Sequence, residues 1–99
     1  MTIYVDPLRD YYDLMGRGLP GQWCHMITDG DQEELHQFAM QLGIHPRRFQ
    51  DHPRHPHYDL RPDSRALAVA LGALEISTRE MGRILAGRSN GHHGNGGDA

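Results

Sequence analysis

The clearest periodic segment of the chain runs from Asp31 to Gly43. Leu35, Phe38, Ala39 and Leu42 recur at i, i+3, i+4 and i+7, which lays one apolar stripe along a helix. Asp31 supplies an N-cap, Glu34 three residues later completes an acidic capping box, and Gly43 ends the helix in the left-handed conformation. A second helix starts near Pro62, whose missing N–H suits the first helical position, and runs through Ala66, Leu67, Val69, Ala70 and Leu71 to Gly72. A third, short helix opens at the Ser77/Glu80 capping-box pair, with Met81, Ile84 and Leu85 inward and Gly87 at its end. Strands are expected where β-branched and aromatic residues cluster between turn signals: Thr2–Val5 before Asp6-Pro7, Gln22–Thr28, and Ala73–Ser77.

The rest of the pattern is less regular. Residues 7–21 contain Pro7, Gly16, Gly18, Pro20 and Gly21 and read as a loop, with a short helical turn from Leu8 to Met15 carrying Tyr11, Tyr12 and Leu14. The stretch 16–21 is too glycine-rich for regular structure and is expected to be mobile. Residues 44–61 contain Pro46, Pro53 and Pro56, with only Ile44, Phe49, Tyr58 and Leu60 as apolar anchors. A structureless connection of that length is unusual in a compact domain and is usually functional or disordered; Tyr58–Leu60 reads as a brief strand at its end. From Arg88 on, the glycine-rich tail cannot offset its ordering entropy and is expected to be disordered. The order of elements predicts a single small α/β domain over residues 1–87, with α+β as the alternative, and a tail over 88–99. One mixed sheet of three to four short strands carries two to three helices. The helix before the Ala73–Ser77 strand makes a crossover, and hence some parallel pairing, the expectation.

Composition narrows the function classes. The chain has 99 residues, a size at which one thin-cored domain can still fold alone. A core that thin also favours burying more surface as a homodimer. No apolar run approaches the roughly 20 residues needed to span a bilayer, so no membrane role is expected. The first residues lack the layout of a signal peptide. The single cysteine, Cys24, allows no internal disulfide, and these features together point to the cytoplasm. A net charge of −3 excludes a globally basic nucleic-acid binder but leaves room for a local basic face. All ten basic residues are arginine, which a GC-rich genome explains without function. Four of the eight histidines (His45, His52, His55 and His57) fall within thirteen positions.

A series of short motifs carries a resemblance. Tyr4-Val5-Asp6, Trp23-Cys24-His25-Met26-Ile27 with Asp29, Glu34-Leu35-His36 with Phe38-Ala39 and Leu42-Gly43, Phe49-Gln50, His57-Tyr58-Asp59, Arg65-Ala66 with Ala68, and Leu71-Gly72-Ala73 stand in order along the chain. Over about residues 2–80 this series resembles the domain of unknown function 4031, small proteins of bacteria and their phages. The resemblance implies a bacterial or phage origin and brings no assigned activity. Residues Tyr11 to Gly21 and the tail depart from the family pattern.

Within those motifs, Asp6 lies at the carboxyl end of the first strand, where open α/β sheets place their sites; an Asx turn or an ion pair with Arg9 is the structural alternative. Strict alternation puts His25 on one strand face with Trp23 and Ile27, where a histidine is more often a satisfied core residue than a ligand. His36 borders the apolar stripe of the first helix and has no evident partner in sequence. His57-Tyr58-Asp59, if extended, points His57 and Asp59 to the same side, an arrangement that suits general-base work, metal binding or a structural hydrogen bond. No His-Glu-x-x-His or other zinc spacing is present, yet Asp6, His25, His57 and Asp59 can assemble one site, with His25, His57 and Asp59 as ligands to a divalent metal. Cys24, apolar on both sides, reads as buried and inert.

Residues 45–65 also hold Arg47, Arg48, Arg54, Arg61 and Arg65 against three aspartates, with Phe49 and Tyr58 interleaved. Such a segment is either a solvated loop or a phosphate- or nucleic-acid-binding surface. The leading expectation is therefore a site with Asp6, His57 and Asp59 in acid, base or ligand roles. Arg47, Arg48, Gln50, Tyr58 and Arg65 would hold a phosphorylated small molecule, nucleotide or nucleic acid. The alternatives are a non-catalytic accessory protein that binds a host or phage protein through Trp23, Phe49 and Tyr11–Tyr12, and a nucleic-acid-binding module built on the 45–65 arginines.

Overall fold

Eleven consecutive residues, Gly18–Thr28, form one strand long enough to pair along both of its edges, and the fold is built around it. The computed structural model describes residues 2–12 and 18–97. In chain order the elements are β1 (Ile3–Val5), β2 (Arg9–Tyr12), β3 (Gly18–Thr28), α1 (Gln32–Gln41), a 3-10 turn (Pro46–Arg48), β4 (Tyr58–Leu60), α2 (Pro62–Ala70), β5 (Leu74–Glu75) and α3 (Thr78–Gly97). The three helices and the mixed five-stranded sheet make an α/β fold.

Met26 of β3 pairs with Val5 on one side and Tyr58 on the other, so β1 and β4 occupy opposite edges of β3. Both run antiparallel to it. β5 pairs parallel to β1 through Tyr4↔Leu74 and Val5↔Glu75, as the crossover through α2 leads one to expect. β2 continues the line of β1 along β3. From Val5↔Met26 to Arg9↔Trp23 the first strand advances four residues while β3 recedes three. The extra residue is a bulge at Asp6–Leu8, where Pro7 cannot donate to a ladder.

Pairing with β2 corrects the reading of residues 7–21 as a loop with a helical turn. Residues 9–12 are strand, and β3 begins at Gly18 despite Pro20 and two glycines. A hairpin tolerates these residues where its register shifts, as it does between Asp10 and Tyr12, and Gly21 takes a φ of +89° that disfavours any other residue. The expected mobility of 16–21 and the position of Leu14 fall partly or wholly outside the described residues. Residues 44–61 are likewise more ordered than their prolines suggest. Gln50 N donates to His57 O at 2.8 Å and His57 N donates back to Gln50 O at 3.2 Å, which closes residues 51–56 into a loop on the approach to β4.

Alternation then sorts the sheet into two faces. Val5, Cys24, Met26, Tyr58 and Leu60 face Leu35 and Ala39 of α1 and Ala68 of α2, and together form the core. Burying one such Leu or Met contributes about 1.5–3 kcal/mol. The α1 cap bond runs from Glu33 N to Asp31 Oδ1, and Gly43 and Gly72 follow α1 and α2 at φ +80° and +117°. The opposite face carries Trp23, His25, Ile27, His57 and Asp59. Ile27 is buried there, as is Met81 of α3, whose first turn is closed by the Ser77/Glu80 box: Glu80 N donates to Ser77 Oγ and Ser77 N to Glu80 Oε1. α3 continues to Gly97, beyond the Gly87 stop expected from sequence. Once a helix is nucleated, each added residue avoids the initiation penalty, which lets weak formers extend it.

Candidate functional site

The bulge and the β3/β4 register together create the polar centre. Antiparallel pairing sets His25 directly opposite Asp59. On β4, His57 precedes Asp59 by two residues and so shares its face, as its extended conformation requires. The bulge turns Asp6 toward the same face, beside His25. The four side chains that sequence could only suggest as a set are thereby brought together.

Each histidine is held by its Nδ1. Asp6 is 1 % exposed; its Oδ2 accepts from His25 Nδ1 at 2.9 Å and its Oδ1 accepts from His25 N at 2.6 Å. His57 Nδ1 donates to His55 O at 2.6 Å. With Nδ1 protonated in both rings, the lone pair of each neutral imidazole sits on Nε2, the tautomer that carboxylates and carbonyls bonded to Nδ1 impose on metal-binding histidines. His57 Nε2 stands 3.3 Å from Asp59 Oδ1, and the two imidazoles meet edge to face at 4.9 Å between centroids. One donor atom from each of His25, His57 and Asp59 lies within 4.8 Å of the others.

Electrostatics ties the pair further. Burial pulls the His57 value down, but the Asp59 carboxylate and the His55 carbonyl outweigh it and hold His57 above its ordinary 6.5. Burial pushes Asp59 up, and the His57 hydrogen bond with the charges of His57, His25 and Arg48 more than reverses this, leaving it below 3.8. His55 is lowered, by burial first and then by repulsion from His52, His57 and His25. The cluster opens onto a cavity of about 180 Å³ bounded by Asp6, His25, His57 and His55 on one side and by Ile27, Met81, Gly82 and Leu85 on the other. Residues of α3 had been legible as inward-facing but not as a wall of this site. The His55/His57/Asp59 period of two was the available signal for His55.

Other expected site residues are placed elsewhere. Tyr58 is fully buried on the core face, where its hydroxyl meets His36 Nδ1 at 2.8 Å; it does not reach the cluster, and it supplies the partner that His36 lacked in sequence. Arg65 is engaged within the fold: its Nε donates to Asp6 O at 2.8 Å and its NH1 to Glu75 Oε1 at 3.0 Å. Asp6 is occupied by His25, so it positions that ring and is not set to exchange protons with a ligand. Gln50 meets His57 through backbone, and its side chain is exposed. Arg47 and Arg48 are exposed on the 3-10 turn, Arg48 near enough to act on Asp59. The five arginines of 45–65 do not form one face, since Arg61 stacks over Trp23 while Arg65 is drawn under Asp6. Cys24 is buried on the core face, and burial and the Asp6 charge push its thiol up to about 12, which makes it inert.

Comparison with known families fits the motifs that converge here. The family described as a protein of unknown function, DUF4031, matches residues 3–88. The chain belongs to the DUF4031 family. No curated protein and no solved structure matches it. Among the described residues, no helix of this DUF4031 member is long and apolar enough to cross a membrane.

Proposed function

We propose that this DUF4031 protein is a metal-dependent enzyme whose mononuclear centre uses His25, His57 and Asp59 as ligands. The observation that supports it is the shared orientation of the two imidazoles: both are fixed at Nδ1 by protein acceptors, beside a carboxylate on the neighbouring strand position. The 3.3 Å between His57 Nε2 and Asp59 Oδ1 equals the edge of a tetrahedron with bonds of about 2.0–2.1 Å. Two histidines and one carboxylate suit Zn²⁺ with an open fourth position, or Fe²⁺. Such an ion lowers the pKa of bound water toward about 7 and polarises a substrate oxygen. The apolar wall of Ile27, Met81 and Leu85 limits solvent access, and Arg48 brings a cation toward Asp59. A phosphorylated small molecule, a nucleotide or a nucleic-acid end is the substrate class these features support, with hydrolysis or phosphoryl transfer as the reaction.

The deciding experiment is elemental analysis of the purified full chain, before and after reconstitution with zinc, iron and manganese, alongside a His57→Ala, Asp59→Ala variant. One equivalent of metal in the wild type and none in the variant is expected. Failure of every metal to bind the wild type at one equivalent would overturn the reading.

A further inference from the structure

The cross-strand position adjoining the His25/Asp59 pair carries features that the metal centre does not use. The β3/β4 register pairs Cys24 with Leu60 and His25 with Asp59. One step further, Trp23 and Arg61 fall opposite each other, on the same face as His25 and Asp59 by alternation. Residues two apart on a strand are separated by about 6.5–7 Å, so this pair lies within reach of a ligand held at the first. The contact is made: the Arg61 guanidinium carbon sits 4.2 Å over the indole of Trp23.

Several constraints fix that guanidinium. Trp23 is 5 % exposed, so the ring under the guanidinium is packed into the fold. Gly21 leaves the space beyond it open; a Cβ there would come within 2.5 Å of Arg61 NH1. The Arg61 guanidinium makes no hydrogen bond or ion pair with a described residue, whereas that of Arg65 four residues later is bonded to Asp6 and Glu75. A stacked guanidinium keeps its N–H edge for a planar or tetrahedral oxyanion, a fork that lysine does not reproduce. The indole Nε1–H of Trp23 is also buried with no acceptor among the described residues, which is rare for a buried donor and marks this position as one that packing alone does not explain.

We propose that Arg61, positioned by Trp23 and Gly21, is an oxyanion-binding subsite that receives a phosphate or carboxylate of the ligand one strand position from the metal centre. The link to a substrate rests on the metal-centre reading; the subsite itself does not. The test is calorimetric titration of the full chain with inorganic phosphate and, separately, with acetate, in apo and zinc-reconstituted protein. Trp23 is the sole tryptophan, so its fluorescence reports whether binding occurs at this position. The expected result is saturable binding of at least one anion with a change in Trp23 emission, weakened tenfold or more in Arg61→Ala. Arg61→Lys, which keeps the charge and the exposed position, is expected to fall between the two. The anion that saturates names the class. Absence of saturable binding by both anions, equal binding by wild type and Arg61→Ala, or an equal loss in Arg48→Ala would overturn the proposal. Zinc should tighten the anion; if zinc fails to bind while the Arg61 dependence stands, the metal reading falls and the subsite remains.

Discussion

Asp6→Asn is the substitution that separates a positioned histidine from a merely buried one. The carboxylate accepts twice from His25, at its backbone N and at Nδ1. The amide is nearly isosteric but offers one acceptor and one donor. If its oxygen keeps the backbone N–H, its NH₂ faces His25 Nδ1, and the ring must shift its proton to Nε2 to avoid a donor–donor clash. The opposite amide orientation opposes NH₂ to the His25 backbone N–H, which cannot adjust. The ring therefore shifts, and Nε2 loses the lone pair that a metal requires. Loss of the group that orients a ligating histidine typically costs 10–100-fold in metal affinity, which is about 1.4–2.7 kcal/mol. The fold should lose a comparable amount: charge-assisted bonds exceed neutral ones by about 1 kcal/mol each, giving about 2 kcal/mol for two. Asp6→Ala, by contrast, abandons two donors in a buried site and should cost about 3–5 kcal/mol, much of the total stability of a small domain. The assay is a chelator-competition titration with zinc paired with urea denaturation. Asp6→Asn binding zinc as tightly as wild type, with a normal unfolding midpoint, would refute the tautomer argument.

Other predictions follow from single contacts. Because the folded protein holds His57 above 6.5, the stability it contributes is full below that pH and is lost as pH rises through the folded value. Asp59, held below 3.8, contributes above 3.8 and loses that contribution as pH falls through its folded value. The metal-free wild type should therefore be most stabilised relative to His57→Gln between about pH 4 and 6.5 in urea titrations, with the difference shrinking on both sides. Tyr58→Phe removes the hydroxyl bonded to His36 and should cost about 1 kcal/mol by denaturation while leaving metal affinity unchanged, since Tyr58 lies on the core face. A chain cut after Gly87 should unfold at the midpoint of the full chain, because Met81, the buried α3 residue among those whose burial is described, precedes the cut and the residues beyond Gly87 are weak helix formers.

How much of this was legible in sequence depended on whether a residue's partner was local. The α1 stripe, the Ser77/Glu80 box and the glycines at 43 and 72 are short-range signals, and each element they announce is present. The pairing of His57 with Asp59 was legible for the same reason, since a spacing of two fixes a shared face. Arg9–Tyr12 and Gly18–Gln22 were not legible as strands, because glycine and proline there are compensated by a long-range pairing that local propensity does not encode. The convergence of Asp6, His25 and Asp59 depends on a bulge and a register, both non-local, so the residues could be suspected while their geometry could not be derived. Tyr58 was misplaced as a ligand contact because one strand step moves a side chain through the sheet. Trp23 and Arg61 were each visible, but only the register joins them.

The face beneath α3 needs apolar cover, and Ile27, Met81 and Leu85 show that this chain can supply it. Placing His57 and Asp59 there instead is a poor way to gain stability, since a well-packed hydrophobic pair in place of a buried ion pair is often neutral or stabilising by about 1–4 kcal/mol. This leads to a last prediction that separates a functional pair from a structural one. His57→Leu alone leaves Asp59 without its partner and should lower stability at pH 6. His57→Leu with Asp59→Val removes both charges and keeps β-compatible side chains on β4. It should recover what the single substitution lost and match or exceed the wild type, while zinc binding disappears. Urea midpoints at pH 6 and zinc titrations on the three proteins decide the matter. A double variant less stable than His57→Leu would mean that the pair is held for the fold, and the case for a site selected at the expense of stability would fail.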